Sequence, residues 1–328
     1  MNFADFQKFR DGLLKERQDI IDCAETNLYR TLARLTPPPA APAQGTVHRC
    51  HLASEWVERF GFAPETSRRA LISCGVRDSL ARIFRHFAGE GAALWIPADN
   101  YPVYGELARA AGLTFREFVT LPAPVWPDAP PVAGPELLLL TNPLKPCGRY
   151  LTPEEIDALK RWLAARDSRR LLVDAVYTFD TAFHSGTLDL LESGQTILLH
   201  SLTKGWLHPR LFGIALVPAA DAALLTPAFR ADPPSQENLA RARDLMGPHA
   251  SMPAAVAREL ESGMLRLREK LPVSLPAAPL RNAPGYFLTI ERNWKELLEI
   301  HRILGLPASV FGSSREDVTI LSSLTFCL

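Results

Sequence analysis

Residues 136–143 read ELLLLTNP, an unbroken apolar run stopped by Asn142 and Pro143. A strand without polar alternation has to be covered on both faces, which favours a parallel sheet clad by helices. The neighbouring sequence repeats the theme. Downstream lie RLLVDAVY (170–177), TILLHSLTK (196–204) and FGIALVP (212–218); upstream lie RALIS (69–73), ALWIP (93–97) and TFREFV (114–119). Helical stretches separate them. DSLARIFRHFAGEG (78–91) gathers Leu80, Ile83, Phe84 and Phe87 on one face, and YGELARAAG (104–112) stops at glycine. Thr152-Pro153-Glu154-Glu155 opens another helix, with threonine as N-cap and proline in the first turn. The pattern predicts an α/β protein with a mostly parallel sheet of seven-stranded type.

The flanks read differently. Residues 4–22 form an amphipathic pattern, and TPPPAAPAQG (36–45) reads as a linker or arm, because four prolines cannot sit in a helix. Beyond 250, helical stretches near 253–270 and 293–304 alternate with GYFLTIE (285–291) and VTILSSLTF (318–326). The expected division is an N-terminal helix and arm (1–45), a large domain (46–250) and a small α+β domain (251–328).

Composition narrows the function. The 328 residues carry 36 basic and 36 acidic side chains, a poor balance for binding nucleic acid through its phosphates. The five cysteines (Cys23, Cys50, Cys74, Cys147, Cys327) never form a C-x-x-C pair, which disfavours both a disulfide framework and structural zinc. No segment approaches the roughly 18 apolar residues of a membrane helix. The charged N-terminus does not read as a signal peptide, so a cytoplasmic location is expected. The sequence lacks H-E-x-x-H, G-x-S-x-G and P-loop motifs, and no metal is expected. Cys50-His51 could suggest a nucleophile pair, but adjacent side chains point apart.

In open α/β sheets, ligands bind beyond the carboxyl ends of the strands. The polar residues following the apolar runs are Ser73-Cys74-Gly75, Asn142, Asp174 with Tyr177, and Ser201 with Lys204. Here the chain resembles fold-type I, class I/II aminotransferases. TNPLKPCG resembles their N-P-x-x-P-x-G turn, VDAVY their D-x-x-Y strand end, and HSLTK their S-[FL]-[ST]-K lysine segment, all in the family's order. PADNYPVYG resembles their P-x-Y-x-x-Y segment. The nearest branch is the histidinol-phosphate aminotransferase-like one, with threonine-phosphate decarboxylase-like proteins: AETNLY (24–29) is similar to their N-E-N-P-Y segment, and SCGVRDSL to their phosphate-loop helix start.

The resemblance implies pyridoxal 5'-phosphate as cofactor. Lys204 would carry it as a Schiff base and act as the catalytic residue. Asp174 would hold the ring nitrogen's proton, Tyr177 and Asn142 would contact the ring oxygen, and Tyr101 would stack on the ring. Gly75, Val76 and Arg77, at a helix start, would cradle the phosphate with Ser201 and Arg210. The segment GWLHPR between Lys204 and Arg210 departs from the family, whose loop is longer and contains glycine. Asn27, Tyr29 and Arg315 are the expected substrate contacts. A second departure is at 317–326, DVTILSSLTF, which places Thr319 or Ile320 where the family has an arginine for the substrate carboxylate. The implied activity is transfer of an amino group from an amino acid or amine. The alternatives are decarboxylation, elimination, cyclisation or oxidation in specialised metabolism, or a non-catalytic regulator. A homodimer with shared active sites is implied by resemblance alone.

Overall fold

The computed structural model describes residues 2–38, 45–100, 102–121, 123–127, 134–179, 182–272 and 285–327. Their strands are β1 (Ile21–Asp22), β2 (Ala70–Ser73), β3 (Ala93–Pro97), β4 (Thr114–Phe118), β5 (Glu136–Thr141), β6 (Arg169–Asp174), β7 (Thr196–Ser201), β8 (Gly213–Leu216), β9 (Phe287–Ile290), β10 (Ile303–Leu304), β11 (Leu306–Pro307) and β12 (Thr319–Ser322). Seven of them build one sheet in the order β2-β8-β7-β6-β5-β3-β4. Only β8 runs against its neighbours, and it does so on both sides. Reversing twice leaves β2 parallel to β7, so their carboxyl ends share an edge.

The apolar runs fill the middle of this sheet. Every residue of β5, β7 and β8 is buried, and Leu137, Leu138, Leu139 and Leu140 are wholly so. Each such leucine contributes roughly 1.5–3 kcal/mol relative to exposure. The charge at the start of β5 is neutralised in place: buried Glu136 takes Arg169 Nε at 2.7 Å and Trp95 Nε1 at 3.0 Å. Helix Pro153–Ala164 begins with the expected reciprocal cap between Thr152 and Glu155 and buries Ile156, Leu159, Trp162 and Leu163.

Polar groups stop the strands earlier than apolar character alone suggests. The run 170–177 leaves the sheet after Asp174, whose Oδ1 accepts the Val176 N–H at 3.1 Å. The run 196–204 ends at Ser201, which caps a short helix, Leu202–Gly205, by accepting the Thr203 N–H. The run 318–326 ends at Ser322, which accepts the Leu324 N–H.

The N-terminal helix is also shorter than 4–22. It spans Phe3–Glu16, and the following residues turn back because buried Arg10 holds both Asp22 (2.6 Å) and Glu25 (3.1 Å). Ile21 and Asp22 then pair in parallel with Ile303 and Leu304, joining β1 to β10. A three-stranded antiparallel sheet, β11-β12-β9, accompanies this junction. Among the described residues no helix is long and apolar enough to cross a membrane.

Candidate active site

The shared edge of β2, β5, β6 and β7 collects the chemistry. Asp174 ends β6 and is buried; its Oδ2 accepts the Tyr104 hydroxyl at 2.8 Å. Burial raises its carboxyl above the usual range, while Tyr104, the Val176 N–H and Lys204 pull the other way. Burial, and then Asp174, push the Tyr104 phenol well above its ordinary value. Tyr104 is therefore a donor to the carboxylate. The sequence reading singled out Tyr101 in this segment; Tyr101 lies outside the described residues.

Lys204 sits in the turn that Ser201 caps. Its Nζ lies 5.3 Å from the ring centroids of both Tyr29 and Tyr177. Burial disfavours its ammonium, but Tyr286, Tyr29 and Asp174 outweigh burial and hold it above the ordinary lysine value. The Tyr177 hydroxyl donates to that of Tyr286 at 3.1 Å, and the Tyr286 hydroxyl reaches the Thr26 carbonyl at 3.5 Å. Glu25 fixes this N-terminal stretch by accepting the N–H groups of Thr26 and Asn27. Asn27 caps Leu28–Thr31 and delivers Tyr29 to the lysine.

Gly75 precedes helix Val76–Gly89 with φ +141°, and no side chain caps that helix. The lattice of strands explains the glycine pair here. Ser73 pairs with Gly213, which pairs with Ser201, and a Cβ on Gly213 would stand 2.6 Å from Gly75 Cα. The helix start is thus drawn against the lysine turn, with Thr203 Oγ1 4.0 Å from where a Gly75 Cβ would lie. Arg77, in the first turn, acts electrostatically on both Tyr29 and Tyr104. An aldehyde-reactive amine, a buried carboxylate and an uncapped helix start with a backbone cradle form a donor set that fits pyridoxal phosphate.

Other expected residues are placed elsewhere. The Asn142 amide is committed at both ends, Nδ2 to Thr187 Oγ1 at 2.9 Å and Oδ1 from the Leu151 N–H at 3.1 Å, so it clamps its own turn. Lys145 of that same turn enters the site instead, its Nζ 4.0 Å from the Tyr177 ring centroid. Arg210 is exposed with φ +60°, and among the described residues it has no hydrogen-bond or ion-pair partner. Arg315 is held by Asp317 at 2.5 Å on the surface side. Tyr104, Tyr286 and Lys145 were missed by sequence reasoning. Tyr104 was within reach, since it stands at the second tyrosine of P-x-Y-x-x-Y.

A doubly flanked sheet with lysine and aspartate at the ends of adjacent strands defines a fold-type I pyridoxal-phosphate protein. More narrowly, the chain belongs to the aminotransferase class I and II family, whose sequence profile matches residues 48–258. A histidinol-phosphate aminotransferase from Paramagnetospirillum magneticum is 28% identical over 152 residues, covering 43% of this chain and 39% of that protein. The match therefore spans well under half of this curated relative. Among solved structures, an Escherichia coli protein with a methionine aminotransferase function superposes with a TM-score of 0.70 at 16% identity, covering 96% of this chain and 91% of that one. A Thermus thermophilus aspartate aminotransferase double mutant gives 0.69 at 17% identity, covering 98% and 91%. Family members use pyridoxal phosphate.

Proposed function

We propose that the chain is a pyridoxal-phosphate-dependent aminotransferase acting on an amino acid or amine. The observation carrying this reading is the placement of Lys204 one short turn beyond β7 while Asp174 ends the adjacent β6. When bound, the cofactor supplies an aldehyde that joins amines and a cationic ring that withdraws electrons from the substrate carbon. The chain's residues do the rest. Asp174, anchored by Tyr104, holds the proton at the ring nitrogen, and burial strengthens that pairing. Lys204 would hold the cofactor through its amine and, when that amine is freed by the substrate, would move a proton between the substrate's α-carbon and the former aldehyde carbon, which the nitrogen separates. Tyr177 and Asn142 would contact the ring oxygen, Asn142 through the second hydrogen of an amide whose Nδ2 already donates to Thr187 and whose Oδ1 accepts from Leu151. The stacking role that the resemblance implies for Tyr101 falls on a residue outside the described ones. The N–H groups of Gly75, Val76 and Arg77 and the Ser201 hydroxyl would receive the phosphate, and exposed Arg210 would have to turn inward to join them. Asn27 and Tyr29 would lie on the substrate side, and Arg315 would reach it only by leaving Asp317.

This reading includes a cytoplasmic biosynthetic enzyme, a homodimer with shared sites, and domains bounded near residues 45 and 250. The second reading, a decarboxylase, lyase, cyclase or oxidase, draws on one observation: β12 carries Thr319 and Ile320 where the family has arginine. A single experiment tests both. Chain reconstituted with pyridoxal phosphate is reduced with borohydride, and the label is expected on Lys204; label elsewhere overturns the assignment. Anaerobic titration with amino acids should then convert the bound cofactor to its pyridoxamine form. Its return unchanged, with loss of carbon dioxide or another fragment, would establish the second reading.

A further inference from the structure

Tyr286 reaches the site from the C-terminal part of the chain, and several contacts fix it there. It stands one residue before β9, its carbonyl accepting the Ser323 N–H at 2.9 Å while Phe287 pairs with Ser322. β9 is seated on the turn that follows β5. The Thr289 hydroxyl donates to the Pro146 carbonyl at 3.2 Å, and a Cβ on Gly148 would stand 2.2 Å from the Phe287 carbonyl oxygen. Gly285, at φ +142°, lets the chain enter this contact, since a Cβ there would fall 2.3 Å from Lys145 Nζ. Tyr286 is buried, with its ring centroid 5.9 Å from that of Tyr177.

The hydroxyl of Tyr286 has a defined direction. A phenol offers one hydrogen and two lone pairs. The Thr26 carbonyl, 3.5 Å away, can only accept, so it takes the Tyr286 hydrogen. The 3.1 Å contact with Tyr177 must then run from Tyr177 to Tyr286. One lone pair of the Tyr286 oxygen is left, and it can only accept. The donor beside it is the Lys204 ammonium. Burial disfavours that charge, and Tyr286, which hydrogen-bonds the ammonium, leads the groups that outweigh burial. The titratable groups facing Lys204 are Tyr29 of Leu28–Thr31, Asp174 and Tyr177 at the end of β6, Tyr286 before β9, and Lys145 from the turn after β5.

We propose that Tyr286 is a positioning residue for Lys204, its oxygen receiving the lysine nitrogen and holding it in line to move the substrate's proton. The proposal rests on reading Lys204 as the reactive amine. When the freed amine takes a proton from the substrate carbon, the C–H electron pair stays behind and the new ammonium finds an acceptor in place. Stabilising that ammonium makes the amine a stronger base, which speeds proton abstraction. When the proton is returned, the same oxygen keeps the nitrogen where it was.

The test reads the charge of Lys204 in the full chain without cofactor. With carbon-13 at lysine Cε, the Lys204 resonance, identified by its absence from Lys204→Ala, reports protonation whatever the access to the amine. In the wild type it should keep its charged-amine shift to about pH 10; in Tyr286→Phe the change should begin about one pH unit earlier, a hold on the proton about tenfold weaker. In the reconstituted chain the same variant should lose about tenfold in kcat with KM within about twofold. The isotope effect of an α-deuterated amino acid should grow as proton transfer slows. Superimposable titrations of wild type and folded Tyr286→Phe overturn the proposal, as does an unchanged kcat. Should the Phe variant not fold, Tyr286→4-aminophenylalanine fills the same space and keeps a hydrogen for Thr26 but is a poor acceptor; a wild-type titration there overturns the proposal equally. Because the titration needs no cofactor, the two readings fail separately. A chain that never takes pyridoxal phosphate onto Lys204 defeats the functional reading, while an unmoved titration in a chain that does defeats Tyr286 alone.

Discussion

Two aromatic cages stand side by side at the end of β7, one around His200 and one around Lys204. The His200 cage is hydrocarbon: Phe60 and Phe183 lie with ring centroids 4.9 and 5.5 Å from the imidazole, and Trp56 donates its indole N–H to Nδ1 at 3.1 Å. The Lys204 cage is phenolic, built from Tyr29, Tyr177 and Tyr286 with Asp174 behind. Both bury a basic group, with opposite results. Burial pushes the imidazole down to about 3, keeping it neutral, whereas the hydroxyls and the carboxylate keep the lysine charged against the same penalty. A few phenolic oxygens separate a neutral packing histidine from a lysine that stays charged. Strand alternation supports the division, since His200 and Ser201 face opposite sides of the sheet.

The sharpest way to break the comparison is to remove the amine. Lys204→Ala is expected to abolish borohydride-stable cofactor attachment and to lower turnover about 10³-fold or more; retention of either would move chemistry out of this cage. Asp174→Asn should lower turnover by about 10²-fold while leaving a folded, cofactor-bound protein, measured by steady-state rates beside absorbance. Tyr104→Phe should cost about tenfold, since it deprives a buried carboxylate of one donor. The sign of its pH effect follows from the same contact. Tyr104 lowers the Asp174 value, so its loss raises it, and the acid limb of the rate profile should move to higher pH.

The smallest effect on activity belongs to the other cage. His200 has its folded value depressed below the unfolded value of about 6.5, so its contribution is complete above that pH and is lost as pH falls toward 3. His200→Leu should therefore flatten the decline of Tm between about pH 6 and pH 4, lower Tm at neutrality by stranding the Trp56 N–H, and change turnover less than twofold. A rate loss matching that of Tyr104→Phe would show that the two cages are functionally one.

Much of the sheet was legible in sequence because buried parallel strands leave continuous apolar runs: ALWIP matches β3 residue for residue, and ELLLLT matches β5. Strand ends were less legible, because at Asp174, Ser201 and Ser322 a side-chain oxygen turns the chain before apolar character runs out. In the site, Lys204, Asp174, Tyr177 and Tyr29 were singled out through the resemblance of their motifs to the family's, and the structure brings them together. The clamp that Thr187 and Leu151 place on the Asn142 amide was not readable, because both partners come from other parts of the chain. Tyr286 comes from beyond the motif-bearing region, where no local pattern marks it.

That tyrosine also sets a timetable. Its hydroxyl links Tyr177 to the carbonyl of Thr26, and the junction of β1 with β10 ties down the same N-terminal stretch. While the chain is being synthesised, the sheet bearing Lys204 can be complete long before residue 286 has emerged. The lysine then stands in an unfinished, wetter cage. Stable capture of an aldehyde should be among the last events of maturation, and ribosome-stalled chains ending near residue 250 should be labelled far less by pyridoxal phosphate and borohydride than released ones.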